Sequence, residues 1–189
     1  MKKYLIVGLG NVGDQYFETR HNIGFMALNY FAESNDLSFE DVKYGCICKF
    51  KSKGRSFILL KPNTYMNLSG IAVKYWLSKE KIEIENLLVI SDDLNLPLCN
   101  FRIRSNGSCG GHNGLLDIEN TLDTTVYNRL RIGILSDYKN YDQIDFVLGK
   151  LNEDEHRELF SIFPKICEVI ISFVMNGIDS TMNSYNSKK

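Results

Sequence analysis

Histidine, aspartate and asparagine side chains are the groups in this chain whose types and positions suggest chemistry. His21 follows a glycine-rich segment, and histidine is the side chain whose unperturbed pKa makes it an efficient base near neutral pH. Asp92 follows an apolar run and could orient this ring or an attacking water. The amides of Asn11, Asn67 and Asn113 can donate to a carbonyl and stabilise oxyanion charge without adding net charge. Such a set suits the attack of water on an acyl ester.

Several other kinds of catalytic site are not supported by the sequence. A G-x-S-x-G elbow is absent, which argues against a serine nucleophile, and an H-E-x-x-H motif is absent too. The three histidines leave little for a metal, and the five cysteines lack paired C-x-x-C spacing. We therefore expect free thiols in a reducing cytoplasm and an enzyme that needs no metal or other cofactor.

The glycines at 8, 10 and 13 match the G-x-G-x-x-G pattern of dinucleotide-binding proteins. In that motif a helix starts within the glycines, yet here Gly24 interrupts the continuation. The acidic residue expected about 20 residues further on should end an apolar strand, whereas Glu33 lies in a polar stretch. A nicotinamide or flavin enzyme is therefore a disfavoured alternative, which predicts a cofactor that co-purifies.

Each candidate also has a purely structural interpretation. A histidine before a helix often serves as a cap or a core partner, and asparagines at strand–helix junctions often cap helices. His112, in the glycine-rich loop at 106–114, is either a second base or an anchor of that loop. His156 lies in a charged helical stretch and is expected to face solvent.

Apolar periodicity predicts strands that alternate with helices. Pro62 is expected to end one strand, and Phe25, Leu28 and Phe31 to share one face of a helix. The predicted strands are 4–7, 44–50, 56–61, 87–90, 98–104 and 130–135, and the predicted helices are 23–31, 67–79, 115–122 and 153–175. This pattern predicts an α/β fold in which helices flank a twisted, mixed β-sheet.

Length and charge limit the classes of protein. The chain has 189 residues, which suits a single domain over 1–189, and we expect its tail after about 183 to be loose. Its net charge of −1 gives no overall basic field for nucleic acid, although a local patch remains possible. No apolar stretch is long enough for a signal peptide or a membrane span, so a cytoplasmic protein is expected.

These segments together resemble the peptidyl-tRNA hydrolase family in its bacterial-type form. The resemblance runs in order through nearly the whole chain. It is carried by residues 5–11 with Tyr16 and 19–22, then by 61–70, 92–97, 110–114, 129–134 and 146–150.

The resemblance implies hydrolysis of the ester that joins a peptide, or an N-acylated aminoacyl group, to the 3′ end of tRNA. It gives His21 the role of general base, Asp92 the role of orienting His21, and Asn11 that of positioning the water or substrate. It gives Asn67 and Asn113 contacts with the peptide backbone and the terminal adenosine region.

The same resemblance implies further contacts with peptidyl-tRNA. Met66 and Tyr16 would shape the walls of the site, and Arg104 and Arg131 would clamp a phosphate of the acceptor stem. Recognition through phosphate and the CCA end would tolerate many sequences and depend on salt. The implied protein is a monomer that needs no membrane.

Several positions depart from the family pattern. Val12 stands where proline is usual, Asn95 where aspartate is usual, and Leu135 where glycine is usual, while Ser108 and Cys109 interrupt a glycine-rich run. None of these departures falls on the implied catalytic residues. The alternative within the family is a catalytically inactive relative that acts as an RNA-binding scaffold.

Overall fold

The computed structural model describes residues 1–135 and 142–186. Within these residues the chain forms seven strands and six α-helices. The strands are β1 (Lys2–Gly8), β2 (Glu40–Val42), β3 (Gly45–Ser52), β4 (Arg55–Pro62), β5 (Leu87–Pro97), β6 (Phe101–Arg104) and β7 (Asn128–Leu135). The helices are α1 (Ile23–Glu33), α2 (Ser69–Glu80), α3 (Asn113–Leu122), α4 (Gln143–Leu148), α5 (Glu153–Asn176) and α6 (Ile178–Tyr185).

The strands form one mixed sheet in the order β2-β3-β4-β1-β5-β7-β6. β1 pairs in parallel with β4 and β5, and β5 pairs in parallel with β7. β2, β3 and β6 add antiparallel pairs at the two sides. The predicted α/β fold with a mixed sheet is confirmed. Because parallel strands share a direction, the loops that follow β1 and β4 leave from the same edge, where ligands of such sheets usually bind.

Both faces of the sheet are buried, which explains the continuous apolar run of β1. Tyr4 and Ile6 belong to the core under α1 and α5, and Leu5 and Val7 belong to the core under α2 and α3. Successive residues of a strand point to opposite faces, so a central strand with helices on both sides must be apolar throughout.

The glycine pattern serves close packing between β1 and α1. A Cβ added to Gly8 would lie 2.2 Å from the carbonyl oxygen of Gly24, and one added to Gly24 would lie 2.4 Å from the backbone nitrogen of Leu9. The helix begins at Ile23, well after the glycines, so its N-terminus is not formed by them. Close packing therefore accounts for Gly8, and α1 does not start within the glycines as a dinucleotide-binding motif requires.

The strands predicted at 44–50 and 56–61 form the β3–β4 hairpin. Lys53 and Gly54 both have positive φ angles, 46° and 74°, and Ser52 pairs with Arg55 across the turn. Such a two-residue turn favours glycine, because glycine adopts positive φ without a steric penalty. β4 ends at Pro62 as expected.

β5 is longer than its apolar run. We predicted a strand at 87–90, but it continues to Pro97, with Asp92 paired to Ile132 and Asp93 to Gly133. This expectation was wrong because pairing with β7, which the local pattern does not reveal, continues into the polar residues. An irregularity between Asp93 and Pro97 interrupts the register.

Three other expectations need correction. The predicted strand at 98–104 begins only at Phe101, and the short helix α4 was not predicted. Phe25 is half-buried and its ring lies against Gly10, whereas Leu28 and Phe31 enter the core as expected.

The C-terminal segment is ordered further than expected. α6 continues to Tyr185, and the side chain of Asn186 bonds to both backbone groups of Ile103 in β6, at 2.8 Å to the nitrogen and 3.0 Å to the oxygen. Residues 184–186 are therefore not loose, while 187–189 lie outside the described residues. Among the helices described, none has the length and apolar character needed to cross a membrane.

Candidate active site

His21 and Asp92 form a buried pair at the carboxyl edge of the parallel strands. His21 lies in the short 3₁₀ turn Arg20–Asn22, immediately before α1, and Asp92 lies in β5. The Nδ1 atom of His21 is 2.9 Å from each carboxylate oxygen of Asp92. This contact places the Nδ1 proton on the ring and leaves Nε2 as the nitrogen available to a ligand.

A second histidine holds Asp92 from the other side. The Nε2 atom of His112 lies 2.8 Å from the Asp92 Oδ1 atom. Its Nδ1 atom accepts hydrogen bonds from the backbone N–H groups of Gly114 and Leu115, at 3.1 and 3.3 Å. Since Nδ1 is an acceptor, the ring proton is on Nε2 and is donated to Asp92. Of the two interpretations of His112, the geometry favours the anchor of the loop, which here also caps α3.

The electrostatics of the pair favour a carboxylate beside a basic imidazole. Burial opposes the charged form of His21, but the charge of Asp92 and its hydrogen bond outweigh burial and raise the pKa of His21 above its ordinary value. Burial alone would raise the pKa of Asp92, yet the adjacent rings of His21 and His112 hold it well below its ordinary range. Asp92 is therefore ionised at neutral pH.

Asn11 is fixed by hydrogen bonds on both sides. The Asn22 side chain accepts from the backbone N–H of Asn11 at 2.8 Å and donates to its carbonyl at 2.9 Å. The Oδ1 atom of Asn11 accepts the backbone N–H of Met66 at 2.7 Å. Because the Asn11 oxygen already accepts this hydrogen bond, the Nδ2 group of the amide is the donor that remains for a ligand.

A cleft extends to either side of His21, and Asn113, Ile144 and Val147 line both of its arms. The first arm, which we call the glycine-loop arm, is further lined by Asp92, Asp93, Leu94, Gly110, Gly111, His112, Arg131 and Gln143. The second, which we call the amide arm, is further lined by Asn11, Tyr65, Met66, Asn67 and Leu148. The cleft therefore gathers the predicted base and all three predicted amides.

Most of the other predicted site residues also reach this cleft. Met66 is buried in the wall of the amide arm, and the exposed side chains of Asn67 and Asn113 lie on the lining. Tyr16, in the 3₁₀ turn Asp14–Tyr16, is half-buried, and among the described residues it is not part of the lining of either arm.

The two predicted phosphate ligands have different surroundings. Arg104 is exposed on β6, at the side of the sheet. Arg131 lines the glycine-loop arm, where its NH2 group donates to the Cys109 carbonyl at 2.9 Å and its Nε atom lies 3.5 Å from the Asp93 carboxylate. Arg131 thus already holds the glycine-rich loop, whereas Arg104 extends into solvent.

Residues 5–189 match the family model described as peptidyl-tRNA hydrolase. The chain belongs to the peptidyl-tRNA hydrolase family. It is a hydrolase of the ester bond in peptidyl-tRNA, as the sequence resemblance implied.

Individual relatives match nearly the whole chain. A peptidyl-tRNA hydrolase of Bacteroides fragilis is 52% identical over 186 residues, covering 98% of this chain and 100% of the relative. One of Cytophaga hutchinsonii is 48% identical over 187 residues, covering 99% and 100%. The crystal structure of peptidyl-tRNA hydrolase from Acinetobacter baumannii is 31% identical, with a TM-score of 0.90 over 98% of this chain and 95% of that one. The predicted fold is that of the family.

Sequence reasoning gave no role to one residue that supports this peptidyl-tRNA hydrolase site and to one that pairs with a residue of its lining. Asn22, adjacent to His21 in the opening motif, received no role, although it holds Asn11 through two hydrogen bonds. Arg102 stands directly across the β6–β7 pair from Arg131, a relationship that only the strand register reveals. The adjacency of Asn22 to His21 was a usable signal.

His21, Asp92 and His112 lie close enough together to raise the question of a cation site. Ligand atoms of His21, Asp92 and His112 lie within 4.8 Å of one another. Both histidine rings, however, direct an N–H group at Asp92, and the remaining His112 nitrogen accepts two backbone N–H groups. A cation would have to replace these hydrogen bonds, so the donor set fits a hydrogen-bonded triad better than a metal centre.

The cysteines take no visible part in the site chemistry. All five are free thiols. Burial, assisted by nearby carboxylates at 41 and 158, raises the pKa of Cys46 and Cys99 to about 11, which keeps these thiols protonated at neutral pH.

Proposed function

We propose that the chain hydrolyses peptidyl-tRNA by general-base catalysis at His21. The observation that carries the proposal is the contact of His21 Nδ1 with both oxygens of Asp92, which leaves Nε2 unengaged on a residue that lines both arms of the cleft. An ionised carboxylate behind the ring fixes the tautomer and stabilises the imidazolium that forms during the reaction.

The reaction then follows from this geometry. Nε2 of His21 takes a proton from water as the water oxygen bonds to the ester carbonyl carbon, and the carbonyl oxygen becomes an oxyanion. When the tetrahedral intermediate collapses, the bond to the ribose oxygen breaks and the imidazolium returns its proton to that oxygen. The products are a peptide with a free carboxyl group and a tRNA with a free 3′ end.

Asn11 is the amide best placed to assist the developing charge. Its oxygen is held by the Met66 N–H and its backbone by Asn22, so Nδ2 is fixed in direction before substrate binds. Donors that are oriented in advance stabilise a transition state without reorganisation at the moment of reaction.

The remaining lining residues serve substrate binding in this proposal. Asn67 and Asn113 bind the peptide backbone and the terminal adenosine region, and Met66 packs against the bound group. Arg104 and Arg131 contact phosphate of the acceptor stem near the CCA end. Because these contacts involve phosphate and a common 3′ sequence, many different tRNAs are accepted.

The proposed enzyme works as a monomer in the cytoplasm and needs no metal. The support for a monomer is that one chain supplies the base, its carboxylate and the amides of the cleft. The cytoplasm is where peptidyl-tRNA arises during translation, and five free thiols are compatible with a reducing compartment.

The test is hydrolysis of an N-acetylated aminoacyl-tRNA by the purified protein in the presence of EDTA. We expect turnover by the parent and by His156→Ala, a control for the loss of a histidine at a half-exposed position on α5. We expect His21→Ala to lose turnover by about 10³-fold while it still binds tRNA. Tight tRNA binding without turnover by the parent would contradict the enzyme and favour the RNA-binding scaffold.

A further inference from the structure

Arg20, the residue directly before His21, makes contacts that the proposed reaction does not use. Its NH2 group lies 2.6 Å from the Oε2 atom of Glu155, and its NH1 group donates to the Phe146 carbonyl at 3.3 Å. Its guanidinium carbon lies 4.3 Å from the centre of the Phe146 ring. The side chain is 12% exposed, so most of this charge is held away from solvent.

Glu155 carries the contact into helix α5. Its Oε2 atom also accepts the backbone N–H of Asn152 at 2.9 Å, and the Asn152 side chain accepts the backbone N–H of Glu155 at 2.9 Å. These two bonds form a capping box at the start of α5. One carboxylate therefore completes a helix cap and pairs with Arg20, which ties the turn of His21 to the first turn of α5.

Backbone contacts beside this ion pair bring the segment after α4 to the segment before His21. The Arg20 N–H donates to the Gly149 carbonyl, and the Leu151 N–H donates to the Glu18 carbonyl, both at 3.1 Å. A Cβ added to Gly149 would lie 2.9 Å from the NH1 atom of Arg20. A side chain at 149 would therefore press on the end of the Arg20 side chain.

Helix α4 is the element whose position these contacts determine. It supplies Ile144 and Val147 to both arms of the cleft and Leu148 to the amide arm. The Phe146 carbonyl that accepts from Arg20 lies within the same helix. Any shift of α4 relative to the turn of His21 therefore changes the distance between the base and the apolar wall opposite it.

We propose that Arg20 is a positioning residue for hydrolysis: it fixes helix α4 against the turn that carries His21 and so sets the width of the cleft that receives the substrate. This inference rests on the proposed function of the His21 site. Arginine suits the role because its planar fork can pair with a carboxylate, donate to a carbonyl and stack on a ring at once, which lysine cannot. A buried ion pair adds little net stability, so definition of geometry is the better reason for this one.

The first test compares the kinetics of Arg20→Met, Arg20→Lys and the parent on N-acetylated aminoacyl-tRNA. We expect KM to rise roughly tenfold in Arg20→Met with a smaller fall in kcat, since a displaced wall weakens substrate positioning more than the chemistry. The KM of Arg20→Lys should lie between that of the parent and that of Arg20→Met. The acidic limb of the pH profile should stay in place because, within the part of the chain that the structure describes, the Arg20 guanidinium bonds to Glu155 and Phe146 and not to the side chain of His21 or Asp92. The matched control is Arg157→Met, whose side chain is 77% exposed and 3.4 Å from Asp154.

The second test is amide hydrogen exchange, which does not depend on activity. We expect residues 143–149 to exchange faster in Arg20→Met than in the parent or Arg157→Met, while β1 and β5 keep their protection. Glu155→Gln removes the charge that pairs with Arg20 but retains a side-chain oxygen that accepts the Asn152 N–H. It should therefore reproduce the faster exchange in α4, and it should disturb α5 less than loss of the whole side chain would.

These measurements separate the two proposals. If the parent fails to hydrolyse the substrate, the proposed function is wrong, and exchange in α4 still decides whether Arg20 holds that helix. Unchanged exchange in α4 would overturn the inference. So would faster exchange with unchanged KM, or a loss confined to kcat with a shifted pH limb, since the last result would mean that Arg20 acts on His21 itself.

Discussion

The carboxylate of Asp92 contacts the Nδ1 atom of His21 through both of its oxygens, each at 2.9 Å. The pKa of His21 is consequently raised against the effect of burial. Since a general base must be neutral, activity should increase as pH rises through a value above the ordinary histidine pKa of about 6.5.

Replacing Asp92 by asparagine should lower activity and move its pH dependence. We expect Asp92→Asn to reduce kcat by about 10²- to 10⁴-fold, because the ring loses its fixed tautomer and the charge that stabilises the imidazolium. The acidic limb of kcat/KM should move to lower pH, since burial remains while the carboxylate is gone. Asp93→Asn is the control, because Asp93 faces Arg131 rather than His21. If the acidic limb of kcat/KM moved equally in Asp92→Asn and Asp93→Asn, Asp92 would not be the residue that raises the pKa of His21.

The same pair predicts how stability depends on pH. The raised pKa of His21 gives stability that is present below about pH 6.5 and is lost as pH rises through the folded-state value. The depressed pKa of Asp92 gives stability that is present above about pH 4 and is lost as pH falls. Both contributions are present together between these limits.

Urea unfolding of the parent and of His21→Gln at about pH 5 and about pH 8.5 measures this effect. The difference in unfolding free energy between the two proteins should be larger at the lower pH, where the folded parent keeps an imidazolium beside Asp92. An equal difference at both values would show that the interaction does not favour the charged ring.

Replacing His112 should mainly lower the stability of the fold and should affect catalysis less. Its Nδ1 atom caps α3 through the N–H groups of Gly114 and Leu115, so His112→Ala should lower the free energy of unfolding by about 1–2 kcal/mol. His112→Asn, which keeps a short side-chain acceptor suited to a helix cap, should recover part of this loss. Its effect on kcat should be smaller than that of Asp92→Asn, because His21 retains its carboxylate. A loss of kcat as large as that of His21→Ala would instead make His112 a second catalytic base.

Salt dependence should test whether Arg104 and Arg131 both contact phosphate. Arg104→Gln should weaken tRNA binding and reduce the slope of log affinity against log salt by about one, with kcat unchanged. Arg131→Gln should reduce the slope similarly and also loosen the glycine-rich loop, because it removes the donor to the Cys109 carbonyl. Arg157→Gln, on an exposed part of α5, is the control. If Arg104→Gln and Arg131→Gln both kept the parent's slope of log affinity against log salt, neither arginine would be a phosphate ligand.

The sequence predicted those features that depend on neighbours along the chain. Pro62 ends β4 because proline cannot continue the ladder, and Gly54 supplies the positive φ of the β3–β4 turn. The apolar runs of β1 and the first half of β5 reflect burial on both faces. The resemblance added the roles of the site residues, which periodicity alone left open.

The features that were missed depend on contacts between distant segments. β5 extends past Ser91 because β7 continues to pair with it, and α4 is too short to show a clear period. The donation from His112 to Asp92 spans 20 residues, and the contact between Arg20 and Glu155 spans 135. No local pattern encodes such distances, so the supports of the site became visible only in the fold.

The pairing of Asn186 with Ile103 has a consequence for synthesis of the chain. The side-chain amide of Asn186 forms the hydrogen bonds that a neighbouring strand would form. It bonds to both backbone groups of Ile103, a residue 83 positions earlier. A growing chain therefore completes β6 long before the amide that bonds to Ile103 at this edge of the sheet has been made. During that interval the strand offers free backbone groups to any other extended polypeptide, and exposed strand edges are the places where nascent proteins associate wrongly. Truncation before Asn186 would make this temporary exposure permanent, and aggregation on expression would reveal it before any loss of catalysis.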